Sequence, residues 1–236
     1  MKKSHIVMLL TFLLLIPATI YFGLRFSGRA YYVTSTLVMI ETLVPFLLAF
    51  ENRKPQAREL VVLAVMCALA VAGRVAIPIP SFKAIFGIIM IAGIAFGPES
   101  GFLVGAISAL ASNFFYSQGP YTPWQMMAYG AGGMLAGFVF AEGRLPRKPV
   151  VMGIFGFLAV AFFVGPLLDT CSVFLVMSRI SLKGAMAFYI SGFPVNLRQA
   201  VATAIVLLVL GKPLLEKLDR IKTKYGILDD EGGKET

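Results

Sequence analysis

Long apolar segments separated by short polar ones are the dominant pattern of the chain. The apolar segments span residues 5–26, 31–50, 59–78, 84–97, 100–116, 123–141, 150–177 and 194–212. A helix needs about 20 mostly apolar residues to cross a bilayer, so the pattern predicts eight transmembrane helices. Two of these segments are short, and Gly97-Pro98-Glu99 between them predicts a turn, because proline lacks a backbone donor and glutamate is unfavourable in lipid. Pro194 is expected to open the last helix.

The composition agrees with a membrane protein. Hydrophobic residues make up 58% of the 236 residues and charged residues 14%, whereas soluble domains hold about a quarter charged residues. The predicted fold is therefore an all-α integral membrane protein. Lys2 and Lys3 precede the first segment like the start of a signal peptide. No small-residue cleavage site follows it cleanly and a second apolar segment begins at once, so we interpret it as an uncleaved signal anchor.

Basic residues occupy alternate loops, so the net charge of +9 indicates membrane topology rather than nucleic-acid binding. One set of loops and termini holds Lys2, Lys3, Arg53, Lys54, Arg58, Arg144, Arg147, Lys148, Lys212, Lys217, Arg220, Lys222 and Lys224. The opposite set holds only Arg25, Arg29, Lys83, Arg179 and Lys183. By the positive-inside rule, the first set and both termini lie in the cytoplasm. We expect a multi-pass protein of the plasma membrane, with the turn at residues 117–122 outside.

The sequence carries no metal-binding or catalytic signature. The single histidine, His5, excludes a His-rich cluster, and Cys67 and Cys171 lie in apolar segments, where they are expected to be small core residues. Ser172 near Asp169 is the best nucleophile pair, but no third group orients it. The chain also has no Walker-type phosphate loop. We therefore expect no cofactor and no enzymatic activity, and any ATP hydrolysis must belong to a partner.

Residues 112–125 form the segment richest in polar and aromatic side chains, between two apolar segments. Asn113, Gln118 and Gln125 supply hydrogen-bonding amides, and Tyr116, Tyr121 and Trp124 supply flat rings. These residue types predict a small-molecule site at the membrane surface. An interfacial aromatic belt around a tight turn is the alternative that the same residues allow.

Ionisable residues inside the predicted spans are the next indication of a site. They are Glu41, Arg74, Asp169 and Arg198. An unpaired charge in the bilayer costs several kcal/mol, so such residues pair or line a cavity. Arg74, Asp169 and Arg198, with Asn196, converge on the outer half of the membrane. They predict either a polar pocket open to the outside or an ion pair of Asp169 with one of the arginines. Glu41 has no evident partner.

Small residues recur at four-residue spacing in the third span, at Ala64, Ala68 and Ala72. Such a stripe lets another helix approach closely. Most stripes of this kind serve packing within one protein. This one begins just after the basic loop at residues 51–58, where a second membrane subunit would dock.

Three segments resemble the substrate-binding S components of energy-coupling factor (ECF) vitamin transporters. They are residues 58–74, 96–106 and 112–126, of which the last is the most specific. Pro194-Val195-Asn196-Leu197 also follows the family's pattern. The resemblance implies a six-helix core at residues 59–215 with a high-affinity vitamin site near its outer surface. The two N-terminal transmembrane helices, residues 1–50, are additional to that core, and residues 216–236 are a charged cytoplasmic tail.

The resemblance also implies the partners. S components capture a vitamin, associate with a transmembrane coupling subunit and two cytoplasmic ATPases, and are thought to topple in the membrane so that the site faces inward. Ala64, Ala68 and Ala72 match the family's docking surface for the coupling subunit. The chain is thereby predicted to be the binding subunit of an ECF-type ABC importer.

The substrate predicted from these residues is a large, flat vitamin. The motif favours cobalamin or a related corrinoid, with riboflavin or another flat vitamin as the alternative. The expected binding residues are Arg74, Lys83, Asn113, Gln118, Tyr121, Trp124, Gln125, Asp169, Asn196 and Arg198. Lys83 lies in an outer loop that would close over the site. A stand-alone secondary transporter with Asp169 as proton carrier is the rival hypothesis, although the sequence shows no internal repeat.

Overall fold

The computed structural model describes residues 56–140, 143–177 and 181–226, together with isolated positions between residues 18 and 44. Within these residues the chain forms helices joined by turns and loops, without strands. The helices of the three described ranges are α1 (Ala57–Val75), α2 (Ile85–Phe96), α3 (Pro98–Tyr116), α4 (Thr122–Phe140), α5 (Pro149–Val176) and α6 (Leu182–Tyr225). The all-α prediction is thus confirmed for the described residues. Most of the two additional N-terminal helices, predicted within residues 1–50, lies outside them.

The outer surface of the bundle is apolar. α5 and α6 are long and apolar enough to cross a membrane, and α2 is a shorter apolar helix. Large apolar side chains face outward on several helices, among them Val61, Val65, Ile154, Phe162 and Val209. Such a surface suits lipid, in which helices satisfy their own backbone hydrogen bonds.

Glycines bring α2, α3 and α4 into near contact along their backbones. A Cβ atom on Gly93 would lie 2.1 Å from the carbonyl oxygen of Gly133, and one on Gly133 would lie 2.3 Å from that of Gly101. Larger side chains would therefore force these helices apart. Gly97 has a φ of +93° between the end of α2 and Pro98, the first residue of α3. The predicted turn is confirmed, and glycine suits its left-handed φ.

Helix α6 differs most from the expectation. It begins at Leu182, because the Ser181 hydroxyl accepts a hydrogen bond from the backbone N–H of Gly184 and caps the first turn. Pro194 therefore lies inside the helix, and the prediction that it opens the helix is wrong. Proline removes only one backbone donor, and apolar residues on both sides of it continue the helix. The 44 residues of α6 measure about 66 Å, roughly twice the hydrocarbon thickness of a bilayer.

The C-terminal part of α6 packs against the end of α2. Lys222 Nζ donates to the carbonyl oxygen of Ala95 at 2.7 Å, and Arg147 Nη2 donates to that of Ile94 at 3.1 Å. The last carbonyls of a helix lack internal partners and carry partial negative charge, so both cations stabilise this helix end. Part of the basic sequence at this end of the bundle therefore has a structural role.

Two contacts involve the isolated N-terminal positions. Thr19 Oγ1 donates to Glu41 Oε1 at 2.7 Å, so Glu41 has the partner that the sequence did not reveal. Leu43 is buried in a cluster with Phe102 and Ala106 of α3. These contacts join the first predicted span to the second, and the second to the bundle.

Candidate functional site

The helices alternate in direction, so most of the predicted site residues lie at one end of the bundle. This end is formed by the C-terminal ends of α1, α3 and α5, by the N-terminal ends of α2 and α4, and by the part of α6 near Gln199. Arg74 lies in the last turn of α1 there, and we call this part of the bundle the Arg74 end.

Asn113 links three helices at the Arg74 end. It is fully buried on α3, and its Oδ1 accepts a hydrogen bond from Arg74 Nη1 at 2.9 Å. Its Nδ2 donates to Gln125 Oε1 at 2.8 Å and to Thr122 Oγ1 at 3.2 Å, both on α4. Arg74 Nη1 also donates to Ser112 Oγ. We call these five residues the Asn113 network, and its mutual hydrogen bonds hold the side chains in place without a ligand.

The turn between α3 and α4 is held by its own polar side chains. Gln118 Oε1 accepts from Thr122 Oγ1 at 2.9 Å, and Gln118 Nε2 donates to the carbonyl oxygen of Leu110 at 2.9 Å. The Tyr121 hydroxyl donates to the carbonyl oxygen of Ser117 at 2.7 Å. Gln118 and Tyr121, both predicted to contact substrate, thus also fix the shape of this turn.

Two tyrosine rings flank the guanidinium of Arg74. The Arg74 Cζ atom lies 4.9 Å from the ring centroid of Tyr116 and 5.6 Å from that of Tyr129. The Tyr116 hydroxyl donates to the backbone oxygen of Arg74 at 3.0 Å. The loop after α1 comes close as well, since Lys83 Nζ is 6.0 Å from the Tyr116 centroid and the Lys83 N–H donates to Gln199 Oε1 of α6 at 3.3 Å. Aromatic rings thereby hold a positive charge in place.

Asp169 and Asn196 form a separate polar pair between α5 and α6. Asn196 Nδ2 donates to Asp169 Oδ2 at 2.6 Å, a charge-assisted contact when the carboxyl is ionised. A Cβ atom on Gly192 would lie 2.2 Å from Asp169 Oδ1. A larger residue at Gly192 would therefore displace the carboxyl group of Asp169.

Arg198 does not join this pair. Its side chain is exposed, and its Nε donates to the backbone oxygen of Pro194 at 3.3 Å. Neither of the ion pairs considered for Asp169, with Arg198 or with Arg74, is present within the described ranges. Residues two apart on a helix differ by about 200° in direction, so Arg198 and Asn196 lie on nearly opposite faces.

Trp124 lies in a small apolar cluster between α4 and α5. Its exposed fraction is 5%, and its ring stacks on Phe174 with centroids 5.6 Å apart and planes 25° apart. Cys171 is buried beside it, and Tyr121 and Met127 pack around the pair. The indole Nε1 is buried and has no hydrogen-bond partner among the described residues.

The alanine stripe lies on the exposed face of α1. Ala64, Ala68 and Ala72 are all exposed. Ala68 and Ala72 line an open apolar groove of about 480 Å³ with Ala111 and Phe115 of α3. The side chains on this face leave room for a helix from another chain.

Several residues at the Arg74 end are not recognisable as site residues from the sequence reasoning above. They are Ser112, Thr122, Tyr129 and Gln199. Ser112 directly precedes the buried Asn113, Thr122 lies in the same polar segment, and Tyr129 follows Gln125 by one helical turn, so the sequence gave a signal for these. Nothing in the sequence indicates Gln199, whose side chain accepts a hydrogen bond from the backbone N–H of Lys83 in the loop after α1.

Comparison with known proteins identifies the family of the chain. A family profile described as ECF-type riboflavin transporter, S component, matches residues 54–216. No curated protein and no solved structure gives a significant match. The matched residues run from just before α1 into the C-terminal part of α6 and include every predicted site residue. The chain therefore belongs to the ECF-type riboflavin transporter S-component family, whose members are membrane-embedded substrate-binding subunits of transporters and not enzymes.

Proposed function

We propose that this chain captures riboflavin for an ECF-type importer. The family match over residues 54–216 carries the proposal, because the family is described by that vitamin. Cobalamin, which the loop motif favoured, has no support from the match, whereas riboflavin was the alternative. A flat ring system with a polar edge is common to both ligand types.

The groups at the Arg74 end suit such a ligand. Tyr116 and Tyr129 present aromatic rings beside the guanidinium, and the Nε and Nη2 groups of Arg74 make no hydrogen bond within the described ranges. The Nδ2 group of Asn113 already has two acceptors, so Arg74 is the better candidate for contacts to ligand oxygens. The loop that carries Lys83 would close the site.

The docking site for the coupling subunit is the second part of the proposal. Ala64, Ala68 and Ala72 are exposed on α1, and the apolar groove beside them is open. A membrane helix of the coupling subunit would lie along this stripe, since small side chains permit close backbone approach. Two ATPases on the cytoplasmic side would supply the energy, with both termini of this chain in the cytoplasm and the Arg74 end outside the plasma membrane.

Binding to the isolated protein tests the first part. Purified protein in mild detergent is titrated with riboflavin, cobalamin and thiamine in parallel, with flavin fluorescence and thermal stability as readouts. Saturable one-to-one binding of riboflavin is expected, with no response to thiamine. Binding of cobalamin alone would show that cobalamin, and not riboflavin, is the substrate. No response to any vitamin would refute the proposal of vitamin capture.

Uptake by cells separates the importer from a secondary transporter. Cells that express the chain with or without the coupling subunit are loaded with labelled riboflavin, before and after ATP depletion. An S component stops importing riboflavin both when the coupling subunit is absent and when ATP is depleted. Uptake that persists on an ion gradient without the coupling subunit would support a secondary transporter, in which Asp169 would be the proton carrier.

A further inference from the structure

The side chain of Trp124 contains an unsatisfied buried donor. Its exposed fraction is 5%, and no oxygen, nitrogen or sulfur acceptor among the described residues lies within hydrogen-bond reach of Nε1. Buried polar groups in proteins nearly always have a partner, because an unpaired one loses its hydrogen bonds to water without replacement. The exceptions call for an explanation, and a ligand that is absent from the structure supplies one.

The side chains that pack around Trp124 offer no strong acceptor that is free. Phe174 and Met127 are apolar, and Cys171 offers only a weak acceptor. The Tyr121 hydroxyl is already bonded to the backbone oxygen of Ser117. Phe174 also covers one face of the indole, so a ligand has at most the other face for stacking. The N–H edge is therefore the part of this side chain that lacks a partner among the described residues.

We infer that the indole N–H of Trp124 donates a hydrogen bond to the bound vitamin and so fixes the orientation of its ring system. The side chains that pack around Trp124 in its cluster are apolar or aromatic, and a carboxylate or phosphate among them would lose its hydration without compensation. The acceptor is therefore a neutral carbonyl oxygen or ring nitrogen of a flat heterocycle. This inference rests on the proposed function and adds to it, because the ring system of riboflavin carries such acceptors along one edge.

The single tryptophan of the chain makes the contact directly observable. Full-length protein labelled with ¹⁵N-tryptophan shows one indole N–H resonance, recorded with and without saturating riboflavin. The indole proton is expected to move downfield and to exchange more slowly with solvent in the complex. A resonance that keeps its position and exchange rate, while flavin fluorescence proves saturation, would overturn the inference. Failure of the wild-type protein to bind any vitamin would instead refute the proposed function.

A substitution tests the contribution of the same N–H to affinity. Trp124→Phe keeps a six-membered aromatic ring against Phe174 and removes the pyrrole part of the indole with its N–H donor. We expect about a tenfold higher Kd for riboflavin, which corresponds to about 1.4 kcal/mol. Met127→Leu is the matched control, because it changes the same cluster without removing a polar group, and its Kd should equal that of the wild type. An unchanged Kd in Trp124→Phe would overturn the inference.

Discussion

Replacing Asn113 with alanine is expected to lower the free energy of unfolding by about 3 kcal/mol. The substitution removes the amide oxygen that accepts a hydrogen bond from Arg74 Nη1. It also removes the amide group that donates to Thr122 Oγ1 and Gln125 Oε1, at a fully buried position. Hydrogen bonds between membrane helices contribute about 0.6 kcal/mol each on average, and a bond to a charged group about 1.5–3 kcal/mol. Arg74 keeps its bond to Ser112, so the charged contact is taken at its lower limit.

Reversible unfolding in mixed micelles measures this loss, with the fluorescence of the single tryptophan as the signal. Ser191→Ala is the control, because that exposed hydroxyl bonds only to a backbone oxygen of its own helix, and its effect should stay within about 0.5 kcal/mol. A double-mutant cycle of Asn113→Ala with Gln125→Ala should show coupling near 0.6 kcal/mol. A loss as small as the control's, or fully additive substitutions, would refute the role of Asn113 as the link between α3 and α4.

Three further substitutions test separate features. Ala68→Trp should abolish co-purification with the coupling subunit and ATPases, while the isolated chain keeps its riboflavin affinity. The control Ile154→Trp, on an exposed face of α5, should leave assembly intact. Loss of assembly in both variants would count against the docking site. Gly133→Ala should lower unfolding free energy by about 1–3 kcal/mol, because its Cβ would meet a carbonyl oxygen of α3 at 2.3 Å; an unchanged thermal denaturation midpoint would show that the helices adjust freely. Arg198→Ala should change stability by under about 0.5 kcal/mol; a large loss rescued by Asp169→Asn would restore the ion-pair hypothesis.

The helices of the described ranges were predictable because lipid imposes a long apolar run on each span. The turn at Gly97-Pro98 was equally predictable. Glycine commonly follows the end of a helix and proline commonly starts one, and the chain has them in this order here. Pro194 shows the limit of such local rules. A proline starts a helix or lies within one according to the residues before it, and here Ser181 supplies an earlier cap.

The site was predictable in its residue types and less so in its pairings. Asn113 and Gln125 lie in one polar segment, so their contact follows from a short turn between two helices. The partner of Asp169 depends on which face of α6 turns inward. The sequence offered Arg198 and Arg74 as ion-pair partners, whereas the structure directs Asn196, and not Arg198, toward the carboxyl group. The direction of a side chain around a helix, not its depth in the membrane, decided between them.

Hydrogen bonding divides the predicted binding residues into two groups with different roles. Asn113 and Gln118 use both ends of their amides on protein partners, so they shape the site and have little capacity left for a ligand. Arg74 and Trp124 keep donor groups without a partner in the described ranges. The Trp124 Nε1 donor is also buried, so it costs free energy in the empty protein and regains it on binding, which discriminates between ligands with and without an acceptor at that point. Substrate choice should therefore depend on Arg74 and Trp124 more than on the amide-rich turn that first marks the site in the sequence.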